Sequence, residues 1–196
     1  MHMKTQSLAL LLAFSAVAFG ADETVLSQFT SDGQLQRPDN YRSWVYLTSG
    51  LDMSYTSEKS PDHHMFDNVF ANPQAYRSFI ETGTWPDGTM LLIEARGGAT
   101  KGSINKRGAF QTTAVMALEV HVKDSKRFDG GWGFFVYGDD GASSANMISK
   151  TEDCYSCHAA HAAVDTTFVQ FYPTLIDIAK AKGTLSVNYL NESKGQ

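Results

Sequence analysis

Residues 110–123 have the clearest alternation of apolar and polar positions in the chain. The apolar positions of one face are Met116, Leu118, Val120 and Val122. The polar positions of the other face are Glu119, His121 and Lys123. A period of two with many β-branched residues predicts a β-strand rather than a helix. We therefore expect Met116 to lie in the core and His121 to point outward.

Shorter segments that are rich in β-branched and aromatic residues predict further strands. These segments are 44–48, 69–71, 89–95 and 132–137. Between the second and third of them the sequence predicts a helix over 73–82. Asn72 is its expected N-cap, Pro73 occupies its first turn, and Gly83 is a typical C-terminal stop.

The last part of the chain has a helical character. It begins near Asp153, and a further helix is predicted over 173–182, with Pro173 in its first turn and Gly183 at its end. Antiparallel strands followed by C-terminal helices indicate the α+β class. We expect a mainly antiparallel β-sheet with flanking helices.

The composition is that of an ordinary globular protein. Of the 196 residues, 42% are hydrophobic and 19% are charged, which argues against a disordered chain. The formal net charge is −5 and the cations form no run, so nucleic-acid binding is not expected. No stretch approaches the ~20 apolar residues of a membrane span. Two cysteines are too few for a disulfide-rich scaffold.

The first twenty residues predict an export signal. Lys4 supplies a positive charge, residues 8–19 form an apolar run, and small residues then allow cleavage before Ala21. The alternative is an uncleaved N-terminal anchor. We expect a cleavable signal peptide over 1–20, a single domain over 21–196 and a periplasmic location.

Cys154, Cys157 and His158 form a C-x-x-C-H motif, which is typical of covalent attachment of c-type haem. Two thiols three positions apart on a helical turn can both reach the vinyl groups of one haem. The histidine that follows can then bind the iron through its imidazole. One haem c uses both cysteines of the chain, and export fits because this haem is attached outside the bacterial cytoplasm.

Three other interpretations of the motif are weaker. A thioredoxin-like redox pair follows a strand in a βαβ unit, whereas polar residues precede Cys154. A zinc site from Cys154, Cys157, His158 and His161 would pack its ligands into eight residues, without the usual spacer between ligand pairs. A structural disulfide would leave His158 without a role.

The opposite face of the iron has no obvious ligand in the sequence. His161 lies three residues after His158 on the same helical face, so we expect it to be exposed or to lie behind the ligand. The remaining candidates are His63, His64, His121, Met53, Met65, Met90, Met116 and Met147. Electron-carrying cytochromes c take a Met ligand from beyond the motif, and no Met follows His158. This pattern favours a five-coordinate iron.

Several segments resemble cytochrome P-460 and its relative cytochrome c′-beta, over nearly all of the chain after residue 20. These segments are 40–44, 72–76, 82–83, 87–89, 122–128, 132–134, 154–158 and 168–173. A haem motif near the C-terminus of a mainly β chain adds to the resemblance, because common cytochromes c are helical and carry it near the N-terminus. The resemblance implies an antiparallel β fold with helices, usually a homodimer, with His158 as the proximal ligand and a vacant distal site.

The resemblance also implies a chemistry of small nitrogen species. Cytochrome P-460 oxidises hydroxylamine, and its relative binds nitric oxide without that activity. In cytochrome P-460 a lysine from the strand after the D-G-T turn is cross-linked to the haem, and Ile93 stands at that position here. Lys101 and Lys106 lie farther along, in a glycine-rich loop.

The distal pocket is expected among two groups of residues. An aromatic lid of the kind found in cytochrome c′-beta could be formed by Phe66, Phe70 and Phe110. The carboxylates that could move protons at a bound substrate are Asp67, Glu94, Glu119, Asp139 and Asp140.

Three functions follow from these observations. The first is binding of nitric oxide or a related small nitrogen ligand, in an apolar pocket that disfavours charge. The second is oxidation of hydroxylamine, or peroxide chemistry, which needs a distal acid or base and a route for electrons. The third is electron transfer to a periplasmic redox partner, with His63, His64 or Met65 as a sixth ligand.

Overall fold

The computed structural model describes residues 24–55, 63–138 and 141–195. The expected signal peptide and the carboxylates Asp139 and Asp140 therefore lie outside the described residues. No helix within these three ranges is long and apolar enough to cross a lipid bilayer.

Five antiparallel strands form the central sheet. The strands of the chain are β1 (Leu35–Gln36), β2 (Val45–Leu51), β3 (Met65–Ala71), β4 (Met90–Ala99), β5 (Phe110–Lys123), β6 (Trp132–Tyr137) and β7 (Ser144–Ala145). The sheet runs from β2 to β6, and each strand pairs with its neighbours in chain order, whereas β1 and β7 form a small second sheet. Each predicted strand overlaps one strand of the central sheet, and the α+β prediction is confirmed.

Four α-helices flank the sheet in the described part of the chain. They are α1 (Pro73–Thr82), α2 (Asp153–His161), α3 (Ile176–Lys182) and α4 (Val187–Glu192). The short 3-10 helices are Tyr41–Ser43, Val169–Phe171 and Ser193–Gly195. The helix predicted to start at Pro173 begins only at Ile176, because a turn precedes it in which the amides of Leu175 and Ile176 both donate to the carbonyl of Tyr172.

Helix α1 has the predicted ends but not the predicted cap. Asn72 precedes the helix, yet its side chain makes no capping bond. Its amide donates to the carbonyl of Gly88 (2.9 Å), and its side-chain oxygen accepts from the amide of Met90 (2.8 Å). Asn72 therefore ties the start of the helix to β4. At the other end Gly83 takes a left-handed conformation (φ 76°) and donates to the carbonyl of Phe79.

Alternation along the strands gives the sheet two different faces. On the helical face, the buried side chains include Phe79, Trp85, Leu91, Phe134, Val169 and Leu175. On the opposite face, which the N-terminal segment covers, they include Leu35, Tyr41, Leu92, Val120, Val122 and Phe135. Because both faces are covered, side chains of both parities along the central strands are buried.

Strand β5 departs from its predicted orientation at two positions. The apolar face is buried at Leu118, Val120 and Val122, as predicted. Met116, however, is 53% exposed, and His121 is buried rather than outward. Strand β6 pairs only with residues 118–123, so Met116 lies beyond its end. His121 is covered because helices and their connecting segments pack on the face that alternation had marked as polar.

Glu94 is a buried carboxylate on the N-terminal face. Its carboxylate accepts hydrogen bonds from the Tyr41 hydroxyl and the Arg42 guanidinium, and from Arg96 Nε at 2.7 Å. Burial alone would raise the pKa of Glu94, but the bonds from Arg96 and Tyr41 and the nearby positive charges lower it below its usual value. The residue is therefore an ionised structural group and not the distal carboxylate proposed from the sequence.

Glu94→Gln should lower the free energy of unfolding by about 3 kcal/mol at pH 7, because Arg96 would lose its ionised partner. An unfolded glutamate titrates near pH ~4.3, so this stabilisation is complete above that pH. It is lost as the pH falls through the lower pKa of the folded state. Chemical denaturation of the native protein and the variant at pH 7 and at pH ~3 measures whether the difference between their free energies of unfolding disappears at low pH.

Asp39→Asn is the matched control for Glu94→Gln. Asp39 pairs with Arg37 at 2.8 Å, but its side chain is 77% exposed, so its loss should cost little at any pH. Equal costs for the two substitutions would contradict the structural role of Glu94.

Candidate functional site

A cavity of about 290 Å³ lies on the helical face of the sheet, with His158 in its wall. Strands β2 to β5 form one side, and the segment after α2 forms the other. Its aromatic lining residues are Tyr55, Phe168, Phe171 and Tyr172. Its aliphatic lining residues from the sheet are Val69, Leu91 and Ile93. We refer to it as the His158 cavity.

The strand register orders the floor of this cavity into rows. The row nearest to His158 consists of Leu91, His121 and Phe134. The next row consists of Val69, Ile93 and Glu119. Beyond it lies Asp67, and Met65 follows at the outer end. At ~3.3 Å per residue, the level of Met65 is roughly 20 Å along β3 from the row that contacts His158.

Helix α2 is held against the sheet by an aromatic contact. The ring of Tyr155 stacks on that of Phe134, with centroids 4.3 Å apart and planes at 3°. The Tyr155 hydroxyl also accepts from the amide of Phe134 (3.1 Å) and donates to the carbonyl of Ile148 (3.3 Å). Because His158 follows Tyr155 by three residues, the same helical face turns its imidazole toward the sheet.

His158 is oriented by its own hydrogen bond. Nδ1 lies 2.7 Å from the carbonyl oxygen of Thr166, so Nδ1–H donates and Nε2 keeps its lone pair. Burial lowers the pKa of His158, and the bond to Thr166 opposes this only in part. The imidazole is therefore neutral at neutral pH, which is the form that binds a metal.

His121 lies beside the ring of His158. Its ring stacks on Phe134 (centroids 4.0 Å apart) and meets His158 edge to face at 5.0 Å. Burial, with a smaller contribution from the charge of His158, lowers the pKa of His121 to about 3. Two rings in direct contact leave no space for a metal between them, so His121 does not lie across an iron from His158.

One of the two thiols lies next to the His158 cavity. Cys157 lines an adjoining cavity of about 480 Å³, which shares Tyr55, Phe168 and Phe171 with the first. Cys154 is exposed, and both cysteines are free, so they form no disulfide. Two unbonded thiols on the helix of His158, an imidazole whose Nδ1 is already bound and an aromatic cavity lined by that imidazole fit a covalently held haem.

The zinc interpretation has no support in the geometry. The described ranges contain no group of three or more His, Cys, Asp or Glu side chains that could hold a metal ion. His161 is exposed, as expected, and its Nδ1 lies 3.2 Å from a carboxylate oxygen of Glu192.

The structure separates the carboxylates proposed for the distal pocket. Asp67 and Glu119 both line the His158 cavity, whereas Glu94 faces the opposite side of the sheet. Burial raises the pKa of Glu119, and the charge of Asp67 raises it further. Burial also raises the pKa of Asp67, with a contribution from Asp52. Both carboxyls thus retain a proton to higher pH than exposed ones do.

The aromatic lid predicted from the sequence is not formed. Phe70 packs on Tyr41 and Tyr46, on the N-terminal face, and Phe66 follows the same parity of β3. Phe110 is 39% exposed and covers Gly102. The aromatic walls come instead from Tyr55 and from the C-terminal residues Phe168, Phe171 and Tyr172. In the sequence, segment 168–173 stands out only through the family resemblance, and Tyr55 has no signal.

Of the other proposed iron ligands, Met53 and Met65 line the His158 cavity, and the rest lie elsewhere. Met90 is buried on the N-terminal face, while Met116 and Met147 are exposed. Nδ1 of His64 lies 2.6 Å from an Asp52 carboxylate oxygen. His64 borders a surface pocket together with Lys101 and Lys106. Neither lysine is among the residues that line the His158 cavity. Ile93 does line it, as expected.

Comparison with known proteins identifies a family that this chain matches. The family model described as Cytochrome P460 matches residues 38–169. This range includes the central sheet, the C-x-x-C-H motif and Thr166. A search of curated proteins found no match. The chain therefore belongs to the Cytochrome P460 family and is a haem protein.

Proposed function

We propose that this protein is an exported haem protein that binds nitric oxide or a related small nitrogen ligand at a five-coordinate iron. One haem c would be attached through Cys154 and Cys157, with His158 as the axial ligand. His158 supports this proposal most directly, because its Nδ1 is bound to Thr166, which leaves Nε2 as the nitrogen for a metal, and because the residue lines an aromatic cavity. The haem supplies the iron at which the ligand binds.

The proposal of an open coordination position rests on the rows of the cavity floor. The row next to that of His121 offers Val69, Ile93 and Glu119, none of which is a histidine or methionine. Met53 packs on Gly50, which pairs with Asp67, one row farther out. Met65 lies beyond that row. Electron transfer with His63, His64 or Met65 as a sixth ligand is accordingly the weaker candidate.

The lining of the cavity suggests which ligands it accepts. Aliphatic and aromatic side chains dominate, so a neutral diatomic loses little solvation on entry. Two half-buried carboxyls with raised pKa values disfavour anions, because an anion would approach like charges whenever either group ionises. Nitric oxide fits such a cavity because it is a diatomic molecule and carries no charge.

A second candidate, oxidation of hydroxylamine, is favoured by the same two carboxyls. Glu119 lies in the row next to the one that contacts His158, where it could accept a proton from a bound substrate. The electrons would pass to a periplasmic redox partner. Ile93 stands where cytochrome P-460 has its cross-linked lysine, which argues for ligand binding over oxidation. By the family resemblance we also propose a homodimer.

Absorption spectra of the purified, exported protein test the first proposal. We expect a high-spin c-haem spectrum in the ferric and ferrous forms that shifts when nitric oxide is added. A low-spin spectrum that nitric oxide leaves unchanged would contradict an open position and favour an electron carrier. A displaced ferrous band like that of cytochrome P-460 would indicate a lysine cross-link and make oxidation the leading function.

Glu119→Gln tests the second candidate. If Glu119 is the proton acceptor, hydroxylamine oxidation in the native protein should increase as the pH rises through its raised pKa, because only the ionised carboxylate accepts a proton. The variant should lose about a hundredfold in rate together with this pH dependence, while nitric oxide binding persists. Steady-state rates with an electron acceptor measure the effect.

Glu81→Gln, on the exposed surface of α1, is the control for Glu119→Gln and should retain the native profile. A Glu119→Gln variant with an unchanged rate and pH profile would exclude this carboxyl as the base.

A further inference from the structure

The carbonyl that orients His158 belongs to a turn with an unfavourable backbone. Asp165 and Thr166 both have positive φ angles, 48° and 58°. Asparagine and aspartate tolerate this region, but a β-branched threonine rarely adopts it. Such a conformation persists only where the surrounding structure holds it. The contacts of this turn therefore determine where the Thr166 carbonyl lies.

One contact holds the turn at Asp165. The carboxylate of Asp165 forms an ion pair with the ammonium of Lys123, the last residue of β5. The same ammonium donates to the carbonyl of Trp85 at 2.7 Å. The Asp165 side of the turn is thereby connected to the end of β5 in the central sheet.

A second contact holds the turn at Thr167. Indole Nε1 of Trp85 donates to the hydroxyl of Thr167 (2.8 Å), which donates in turn to the carbonyl of Val164 (2.6 Å). Trp85 and Thr167 are both 2% exposed. Thr166 thus lies between two anchored neighbours, and Trp85 takes part in both anchors.

We propose that Lys123, Asp165, Trp85 and Thr167 are positioning residues that set the strength of His158 as an iron ligand. They act through the Thr166 carbonyl, because an Nδ1–H···O bond makes the imidazole a stronger donor. A stronger donor favours ferric over ferrous iron and so lowers the reduction potential. This inference rests on the proposed ligation of haem by His158.

The experiment compares three variants of the exported holoprotein. Thr167→Val removes the hydroxyl, Thr167→Ser keeps it, and Lys123→Gln breaks the ion pair at a partly exposed site where misfolding is less of a risk. After haem content is matched, the reduction potential and the iron–histidine stretching frequency are measured. We expect Thr167→Val and Lys123→Gln to lower the preference for ferric over ferrous iron about tenfold, which raises the reduction potential by about 59 mV. Both variants should also lower the iron–histidine stretching frequency. Thr167→Ser should remain near the native values.

One control variant and the spectrum of the native protein separate the possible failures. Asp39→Asn breaks a carboxylate ion pair outside the helical face and should change neither quantity. A native protein without an iron–histidine stretch would overturn the proposed ligation and this inference with it. Thr167→Val and Lys123→Gln could instead lower the melting temperature without changing the iron–histidine stretch of the native protein. That result would overturn the positioning role alone.

Discussion

The register of the antiparallel sheet determines which side chains form the core and which form the floor of the cavity. Since side chains alternate between faces, pairing Leu91 with His121 and His121 with Phe134 places all three in one row on the helical face. The same register sends Leu92 and Glu94 to the opposite face. A shift of one residue would exchange these sets and remove the floor of the cavity.

The haem motif depends on that row for its position. Phe134 receives the ring of Tyr155, and His121 fills the space beside the ring of His158. Helix α2 itself buries no residue fully, so its position depends on contacts made by a few side chains. The second support of His158 comes from the Thr166 turn. The imidazole of His158 is thus held by the sheet on one side and by a backbone carbonyl on the other.

The pKa values of the carboxyl groups on the two faces of the sheet are shifted in opposite directions. Glu94 is surrounded by donors, so its charge is compensated and its pKa is lowered. Burial instead raises the pKa values of Asp67 and Glu119, which border open space in the His158 cavity. A compensated charge stabilises a fold, whereas carboxyls with raised pKa values beside a cavity are typical of functional sites. This contrast supports a role for Asp67 and Glu119 in the chemistry of the cavity.

Local patterns were enough to predict the local features of this protein. Alternation located β5, runs of β-branched and aromatic residues located the other strands of the central sheet, and the Asn72 to Gly83 signals located α1. The C-x-x-C-H spacing singled out Cys154, Cys157 and His158 as the candidate haem site, because each of these patterns depends on neighbours within a few residues. Which side of each strand is covered, and by what, depends on tertiary packing. His121 is buried and Glu94 lies outside the cavity because of contacts between segments far apart in the chain. The carbonyl that orients His158 is only eight residues away, but the contacts that hold its turn come from Trp85 and Lys123, on distant segments.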